Sequence, residues 1–377
     1  MTQQIDSQIL KSLVEVDDIS TISWQTLANL VRQDTGIQHA LPDGVFQIDP
    51  RNGDRIVYVS RRAARPHDNR PEEHDVMVSE RPCPICRGTT TGVVDVAELS
   101  EGFTFINKNL FPVVYPFVER NLSEVGIQGL HFLQWTSSHH ERDFYNMPLA
   151  DCVVVMARLA ALEQKLLEAG EGHVLITKNY GHLVGGSLFH GHQQIVLSNQ
   201  IPRRFLDNGR FHQKHSESFA TFLLRENPSE LLVKDYGTAV LMVPYFMRRP
   251  YDMMLVMKNS ARRYVYELDD EEITAVAQAW QDGIQVMRTV MPAIGRELAY
   301  NVIVNNGLGA GLYFEFLPYT QEIGGYEHLG FYACQADPAQ VAQQIREIMG
   351  GRSHRLKSVS ETENVLKYVD SGDRNVL

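Results

Sequence analysis

The stretch Val174–Leu197, VLITKNYGHLVGGSLFHGHQQIVL, decides the fold. Val174-Leu175-Ile176-Thr177 reads as a strand, Lys178 to Gly186 as a glycine-bearing loop, and His190 to Leu197 as a second strand. Working outward, Gly129 to Trp135 reads as an earlier strand. Pro148 to Glu168 carries apolar residues at helical spacing, among them Leu149, Val153, Met156, Leu159 and Leu166. The same order returns later in the chain. Met253 to Met257 reads as a strand, and Asp270 to Val290 as a helix with Asp269 as N-cap and Glu272 three residues on. Tyr300 to Val304, the loop Asn305-Asn306-Gly307, and Leu312 to Leu317 complete the second copy. Two copies of strand, helix, strand, glycine-bearing loop, strand predict an α+β chain of two similar halves, each an antiparallel sheet with a long helix.

The flanks divide accordingly. Residues 1–40 carry a helical pattern (Ile9, Leu10, Leu13, Val14, then Leu27, Leu30, Val31) and read as an N-terminal extension. The first half spans 41–215, the second 216–350, and 351–377 is a mixed-charge tail. Val45 to Ile48 and Arg55 to Val59 read as strands around the turn Asp49 to Asp54. The polar connection 198–235 contains Pro202, Gly209 and Pro228.

With 44% hydrophobic and 21% charged residues, the 377-residue chain has the balance of a globular protein rather than a disordered one. No apolar run approaches the roughly 18–20 residues of a membrane span. The first 25 residues lack the basic-then-apolar order of a signal peptide, so a cytoplasmic location is expected and no membrane partner. A net charge of −11 argues against a nucleic-acid partner, because such binding neutralises many phosphates. A small phosphorylated substrate needs only a local site and stays open.

Alternation along the strand from His190 puts His190, His192 and Gln194 on one face. Imidazole is a competent nucleophile near neutral pH. Gly185, Gly186 and Ser187 precede it, where small residues let backbone N–H groups approach phosphate oxygens. A lone His-x-His would more often be two half-exposed strand residues; Gln194 and the glycine loop shift that balance. Cys83-Pro84-Ile85-Cys86 is either a redox pair or half of a metal site. Its place between a basic loop and the Gly/Thr-rich stretch 88–92 suits a zinc knuckle, which needs two further ligands. His131, His139, His140, His173, His182, His190 and His192 are the supply, and spacing alone selects none. Cys152 and Cys334 read as core thiols, and Trp24, Trp135 and Trp280 as core. The basic run with Arg61, Arg62 and Arg65 reads equally as a phosphate contact or a solvated face.

From about Phe46 to Glu347 these motifs, in order, resemble the galactose-1-phosphate uridylyltransferase family of the histidine-triad-like superfamily, especially its archaeal and actinobacterial-type members. The shared segments are Asp49-Pro50 through Arg65-Pro66, Cys83 to Cys86, Phe105 to Lys108, His140 to Phe144, Asn179 with Gly185 to Ser187, His190 to Gln194, Glu315 to Pro318, and Gly325 to Glu327. The resemblance implies two histidine-triad-like halves in pseudo-twofold arrangement. It implies Zn2+ on Cys83, Cys86, His140 and His190, with His192 as nucleophile forming a nucleotidyl-imidazole intermediate. Gln194 would donate to phosphoryl oxygens. Arg62, Arg65, Asn107, Asn179, Gly185, Gly186 and Ser187 would contact nucleotide and phosphate, and Tyr326, Glu327 and Gln335 the acceptor. Partners would be a nucleotide sugar and a sugar phosphate or phosphate, with the chain a homodimer.

The chain departs from that pattern at two places. Gly191 stands where the family carries proline between the histidines. In the second half Gly311 and Tyr313 stand where two histidines are expected before Glu315. The expected activity is therefore transfer of a nucleoside monophosphate between a nucleotide sugar and a sugar 1-phosphate. The alternatives are a phosphorylase of a nucleotide sugar or dinucleoside polyphosphate, and a nucleotide-binding protein without catalysis.

Overall fold

Alternation sets the centre of the molecule. His173–Tyr180 buries Val174, Ile176 and Lys178 and leaves the residues between them half-buried, as a strand with two different faces does. The computed structural model describes residues 4–42, 44, 46–48, 55–57, 83–117 and 126–351. The turn Asp49 to Asp54, the basic segment with Arg62 and Arg65, and the tail beyond 351 lie outside the described residues. The helices are α1 (Ser7–Leu13), α2 (Trp24–Gln33), α3 (Thr35–Gln38), α4 (Leu149–Leu167), α5 (Arg203–His215), α6 (Phe219–Glu226), α7 (Asp270–Ala293), α8 (Gly325–His328) and α9 (Pro338–Met349). The strands are β1 (Phe46–Ile48), β2 (Arg55–Val57), β3 (Val93–Glu98), β4 (Phe103–Lys108), β5 (Gly129–Trp135), β6 (His173–Tyr180), β7 (His192–Ser198), β8 (Leu232–Asp235), β9 (Ala239–Met242), β10 (Met253–Met257), β11 (Tyr300–Asn305) and β12 (Tyr313–Pro318).

The architecture is mixed α/β around one large antiparallel sheet, with β1 and β2 paired separately. The order in the large sheet is β3-β4-β5-β7-β6-β11-β12-β10-β9-β8. The first five strands in that row come from before residue 199 and the last five from after 231, and the two groups meet where β6 pairs with β11. One face is covered by α4 and α7. Leu159, Leu162 and Leu166 of α4 and Val276, Trp280 and Ile284 of α7 share one buried cluster with Ile195 and Leu197 of β7, Val302 of β11 and Phe314 of β12. Burying such side chains contributes about 1.5–3 kcal/mol each. On the opposite face Val196 packs with Val114 and Ile127. The residues of β7 that alternate with Ile195 and Leu197, namely His192, Gln194 and Val196, are therefore turned away from the helices.

The expected N-terminus of α7 is present as a capping box. Asp269 Oδ1 accepts from Glu272 N at 2.9 Å, and Glu272 Oε2 accepts from Asp269 N at 3.0 Å. Three readings shift. β6 continues to Tyr180 instead of becoming loop at Lys178, because Asn179 and Tyr180 pair with Asn301 and Tyr300 of β11. β7 begins at His192 rather than His190. The polar connection 198–235 folds mainly as α5 and α6, and α5 is polar because, among its described residues, only Asn208 is buried.

Trp280 is fully buried against Phe144, Phe314 and Phe316, and its indole Nε1 has no hydrogen-bond partner among the described residues. Trp280→Ala should destabilise by about 3–5 kcal/mol. Trp280→Phe keeps most of the ring volume and removes an unpartnered N–H, so it should cost less than about 1.5 kcal/mol. Urea-unfolding midpoints of the two variants check the difference.

Candidate functional site

The strand β5 ends at Trp135, opposite His192 of β7. The chain then turns through Ser137 and Ser138 to His140, while the Cys83–Cys86 turn packs with Val93 of β3, Phe105 of β4 and Trp135 of β5. These elements bring Cys83, Cys86, His140 and His190 together, with one ligand atom from each within 4.8 Å of all the others. The Nδ1 atom of His190 lies 3.7 Å from Cys83 Sγ and 3.5 Å from Cys86 Sγ, and His140 Nδ1 lies 3.8 Å from Cys86 Sγ. With metal bonds of about 2.3 Å to sulfur and 2.0–2.1 Å to nitrogen, the S···N edge of a zinc tetrahedron is roughly 3.6 Å. The donor set and its edges fit a zinc ion. Cys86 above all, with His140 and His190 beside it, draws the Cys83 thiol down toward the thiolate that a metal ligand must be. Among the described residues no other group of three or more His, Cys, Asp or Glu converges in this way.

His190 holds this cluster to the strand. Its Nε2 lies 2.7 Å from the Ser137 carbonyl, which can only accept, so Nε2 carries the proton and Nδ1 presents its lone pair to the sulfurs. Its own carbonyl oxygen takes up His192 Nδ1 at 2.8 Å. By the same reasoning His192 is protonated at Nδ1, and its lone pair is on Nε2. Burial, with Lys178 nearby, pushes the His192 imidazole down to about 4, so it is neutral at physiological pH. Trp135 flanks both histidines, 5.3 Å from the His190 ring and 4.8 Å from that of His192.

Gln194 shares the His192 face, and Asn179 lies on it one alternation beyond the Thr177–Gln194 pair. Gly185 closes the turn His182–Val184 in left-handed conformation, and Gly186 N donates to Gly181 O, which brings the loop with Ser187 back over the end of β6. Asn107 is also on this side of the sheet, but its amide is committed inside. Its Oδ1 accepts from Trp135 Nε1 at 2.6 Å, and its Nδ2 donates to Thr90 Oγ1 and Thr91 Oγ1. It links the stretch after the cysteines to Trp135.

The structure also gives Gly191 a reason that the sequence did not disclose. A Cβ there would lie 2.6 Å from Asp143 Cγ. Asp143 is buried and pairs with buried Lys178 at 2.8 Å. The same Lys178 Nζ reaches Gln193 Oε1 at 3.3 Å. This ion pair lies directly behind the His190–Gln194 strand and occupies the space a proline ring would need. Its two members, each next to a recognised motif, are the site residues that sequence reading missed. The signal was a lysine at an inward-facing position of β6, which demands a buried partner.

Tyr326 and Glu327 lie in α8, and Gln335 follows it before α9. Tyr326 is 67% exposed. Glu327 accepts from Gly324 N and Ala333 N, shaping its own loop, and Gln335 N donates to Gln321 Oε1. Glu327 lines a cavity of about 200 Å³ with Arg204, Arg249, Asp252 and Glu315, which contains none of the His192 group. In β12, Tyr313 is buried and bonds to Asn208, and Glu315 bonds to Arg204 and Asn305. Where two histidines were expected there is a closed polar network.

Fold and site together define a class. The chain has the fold of the uridylyltransferases and nucleotide-sugar phosphorylases, whose solved structures are its neighbours at low sequence identity. A uridylyltransferase structure is 19% identical, with a TM-score of 0.63 over 82% of this chain and 99% of that one. An ADP-glucose phosphorylase from Arabidopsis thaliana with bound ADP-glucose is 15% identical, with a TM-score of 0.60 over 80% and 98%. A GalT-like protein from Arabidopsis thaliana is 16% identical, with a TM-score of 0.57 over 65% and 83%. No protein-family model and no curated protein sequence matches the chain. Among the described residues no helix is long and apolar enough to cross a membrane.

Two outcomes follow from this geometry. Elemental analysis of the purified protein should find about one zinc per chain, and Cys83→Ser should lose it together with thermal stability. A zinc-free parent whose melting temperature is unchanged by Cys83→Ser would falsify the assignment. Gly191→Ala should cost about 1–3 kcal/mol by forcing Asp143 away from Lys178. An unfolding midpoint equal to the parent's would refute the steric account.

Proposed function

We propose that the chain is a nucleotidyltransferase of the galactose-1-phosphate uridylyltransferase type, with His192 as nucleophile. The observation that carries this reading is the tautomer of His192. Its Nδ1 is held by the His190 carbonyl, so an unprotonated Nε2 is offered on the sheet face that also carries Gln194 and Asn179. In the first step Nε2 attacks the α-phosphorus of a nucleotide sugar. A P–N bond forms, the P–O bond to the sugar phosphate breaks, and the sugar phosphate leaves. In the second step a phosphate oxygen of the acceptor attacks the same phosphorus, the P–N bond breaks, and neutral His192 is restored. Gln194 donates to the phosphoryl oxygens. An amide does not titrate, so Gln194 offers no strong acid for hydrolysis, which favours transfer to a phosphate acceptor over release to water.

Asn179, Ser187 and the backbone around Gly185 and Gly186 position the phosphates, and Arg62 and Arg65 complete their charge balance. Asn107 acts from behind, through Trp135. Cys83, Cys86, His140 and His190 would hold zinc with all four tetrahedral positions filled by protein, so its contribution would be to fix the site rather than to polarise substrate. The order of strands in the large sheet supports two halves related by a pseudo-twofold axis between β6 and β11. The first half carries the chemistry. Tyr326, Glu327 and Gln335 would meet an acceptor sugar across a homodimer, Tyr326 being well exposed.

A second reading is a phosphorylase, in which inorganic phosphate is the acceptor. It is favoured by the cavity beside Glu327, whose lining does not include His192, because a phosphate acceptor needs no sugar pocket beside the nucleophile. Incubation with a panel of UDP- and ADP-sugars, followed by intact-mass measurement, tests both. A nucleotidyl adduct should form on the parent and be absent in His192→Ala, whose turnover should fall by roughly 10⁴-fold or more. Discharge of the adduct by a hexose 1-phosphate identifies the transferase, and discharge by inorganic phosphate alone identifies the phosphorylase. No adduct and no turnover on any member of the panel, or with dinucleoside polyphosphates, would leave a nucleotide-binding protein without catalysis.

A further inference from the structure

The N-terminal extension forms one wall of the candidate metal centre. Ile5 and Leu10 are buried in one apolar cluster with Cys83, Ile85, Val93, Phe105 and Trp135, and Ile9, Leu13 and Cys86 pack against it. Backbone bonds fix the segment at both ends. Ile5 N donates to Ser138 O at 3.0 Å, inside the loop that carries the Ser137 carbonyl and His140. Glu15 N and Val16 N both donate to Val93 O, at 2.8 and 3.2 Å. The glycines of the knuckle are shaped to this contact. A Cβ on Gly88 would overlap Ile9 Cγ2, and one on Gly92 would overlap the Glu15 carboxylate. That carboxylate pairs at 2.6 Å with Lys108, which is fully buried and also pairs with Asp34 at 2.8 Å. Further on, Arg158 joins Asp18 of the extension to Asp95 of β3.

We propose that residues 5–16 are a closing element of the metal centre, so that their docking retains the metal and bound metal holds them docked. The four ligands come from separate pieces of chain: the Cys83–Cys86 turn on one side, the 137–140 loop and His190 on the other. The extension touches both pieces, the turn through Ile9 and Leu10 and the loop through Ile5. A metal ion joins the same two pieces. Each connection therefore lowers the cost of the other, and the coupling must be reciprocal. Without the segment, the apolar side of the cysteine turn faces water, and a competing chelator reaches the thiolates directly. Supports outside the ligand shell commonly change metal affinity by about 10–100-fold.

This inference rests on the metal reading of Cys83, Cys86, His140 and His190, and the test separates the two. Zinc content of the full-length parent is measured first, and a zinc-free parent overturns both readings. With zinc present, its release to excess 4-(2-pyridylazo)resorcinol is followed in the parent, in Ile9→Asp and in Leu223→Ala. Leu223 is fully buried in α6, away from the knuckle, and its variant controls for general loss of stability. Ile9→Asp should release zinc about ten-fold faster or more, with Leu223→Ala close to the parent. Hydrogen exchange on the parent alone gives the reverse measurement, so the inference stays testable if Ile9→Asp does not fold. Peptides from residues 5–16 should exchange several-fold faster after zinc is stripped, while those from β8 and β9 stay unchanged. Equal release from parent and Ile9→Asp, equal acceleration in Leu223→Ala, or exchange of residues 5–16 that ignores zinc would each overturn the coupling while leaving the metal site in place.

Discussion

His190 is the residue on which the geometry of the site depends. Its two ring nitrogens and its carbonyl each meet a different part of the site. Nε2 donates to the Ser137 carbonyl, Nδ1 faces the two cysteine sulfurs, and the backbone carbonyl accepts from His192 Nδ1. Because a carbonyl cannot donate, the first contact sets the tautomer of His190, and the third sets that of His192. A shift of the loop at Ser137 would turn the His190 ring, disturb the cysteine cluster and release the proton of His192 from its acceptor. The placing of the cysteine–histidine cluster and the orientation of the His192 ring are thus two outcomes of one hydrogen-bond chain two residues long.

This explains which parts of the fold and site were legible in the sequence. Val174 to Leu197 showed its strands by alternation, and α4 and α7 by helical spacing. Asp269 and Glu272 announced the start of α7, because capping is a local interaction. The cysteine pair and the His-x-His motif were visible as chemistry, and collinear motifs linked them to His140. Boundaries set by distant chain were not legible. β6 extends to Tyr180 only because β11, more than a hundred residues later, pairs with it. The role of Asn107 was hidden for the same reason. Its amide is consumed by Thr90, Thr91 and Trp135, and nothing local indicates that those side chains converge.

Gly191 shows how a residue that looks permissive in the sequence can be constrained by what packs behind it. Taken alone, glycine in place of proline between two histidines would loosen the strand. The structure supplies the missing constraint from behind. Asp143 fills the space beside the glycine, Lys178 neutralises it, and both are buried. A buried ion pair is not itself strong evidence of stability, because desolvation offsets much of the attraction. What it provides is geometric definition. Lys178 has its carboxylate on one side and Gln193 Oε1 on the other, so the strand cannot slide without leaving a buried charge unpaired. Electrostatics supplies the rigidity that a proline ring would impose covalently.

Tyr313 and Glu315 of β12 show the opposite case, polar groups committed to their neighbours. Their polar atoms are turned to Asn208, Arg204 and Asn305. Glu315 keeps an acidic oxygen beside the cavity, yet a guanidinium and an amide already occupy it. A group so paired is poorly placed to bind metal, since a cation would have to displace an arginine. The network instead ties α5 to β11 and β12. The polar connection 198–235 is thereby held to the sheet through Tyr313 and Glu315. At Cys83, Cys86, His140 and His190, by contrast, the donor atoms converge to within 4.8 Å of one another, the arrangement a metal ion would need.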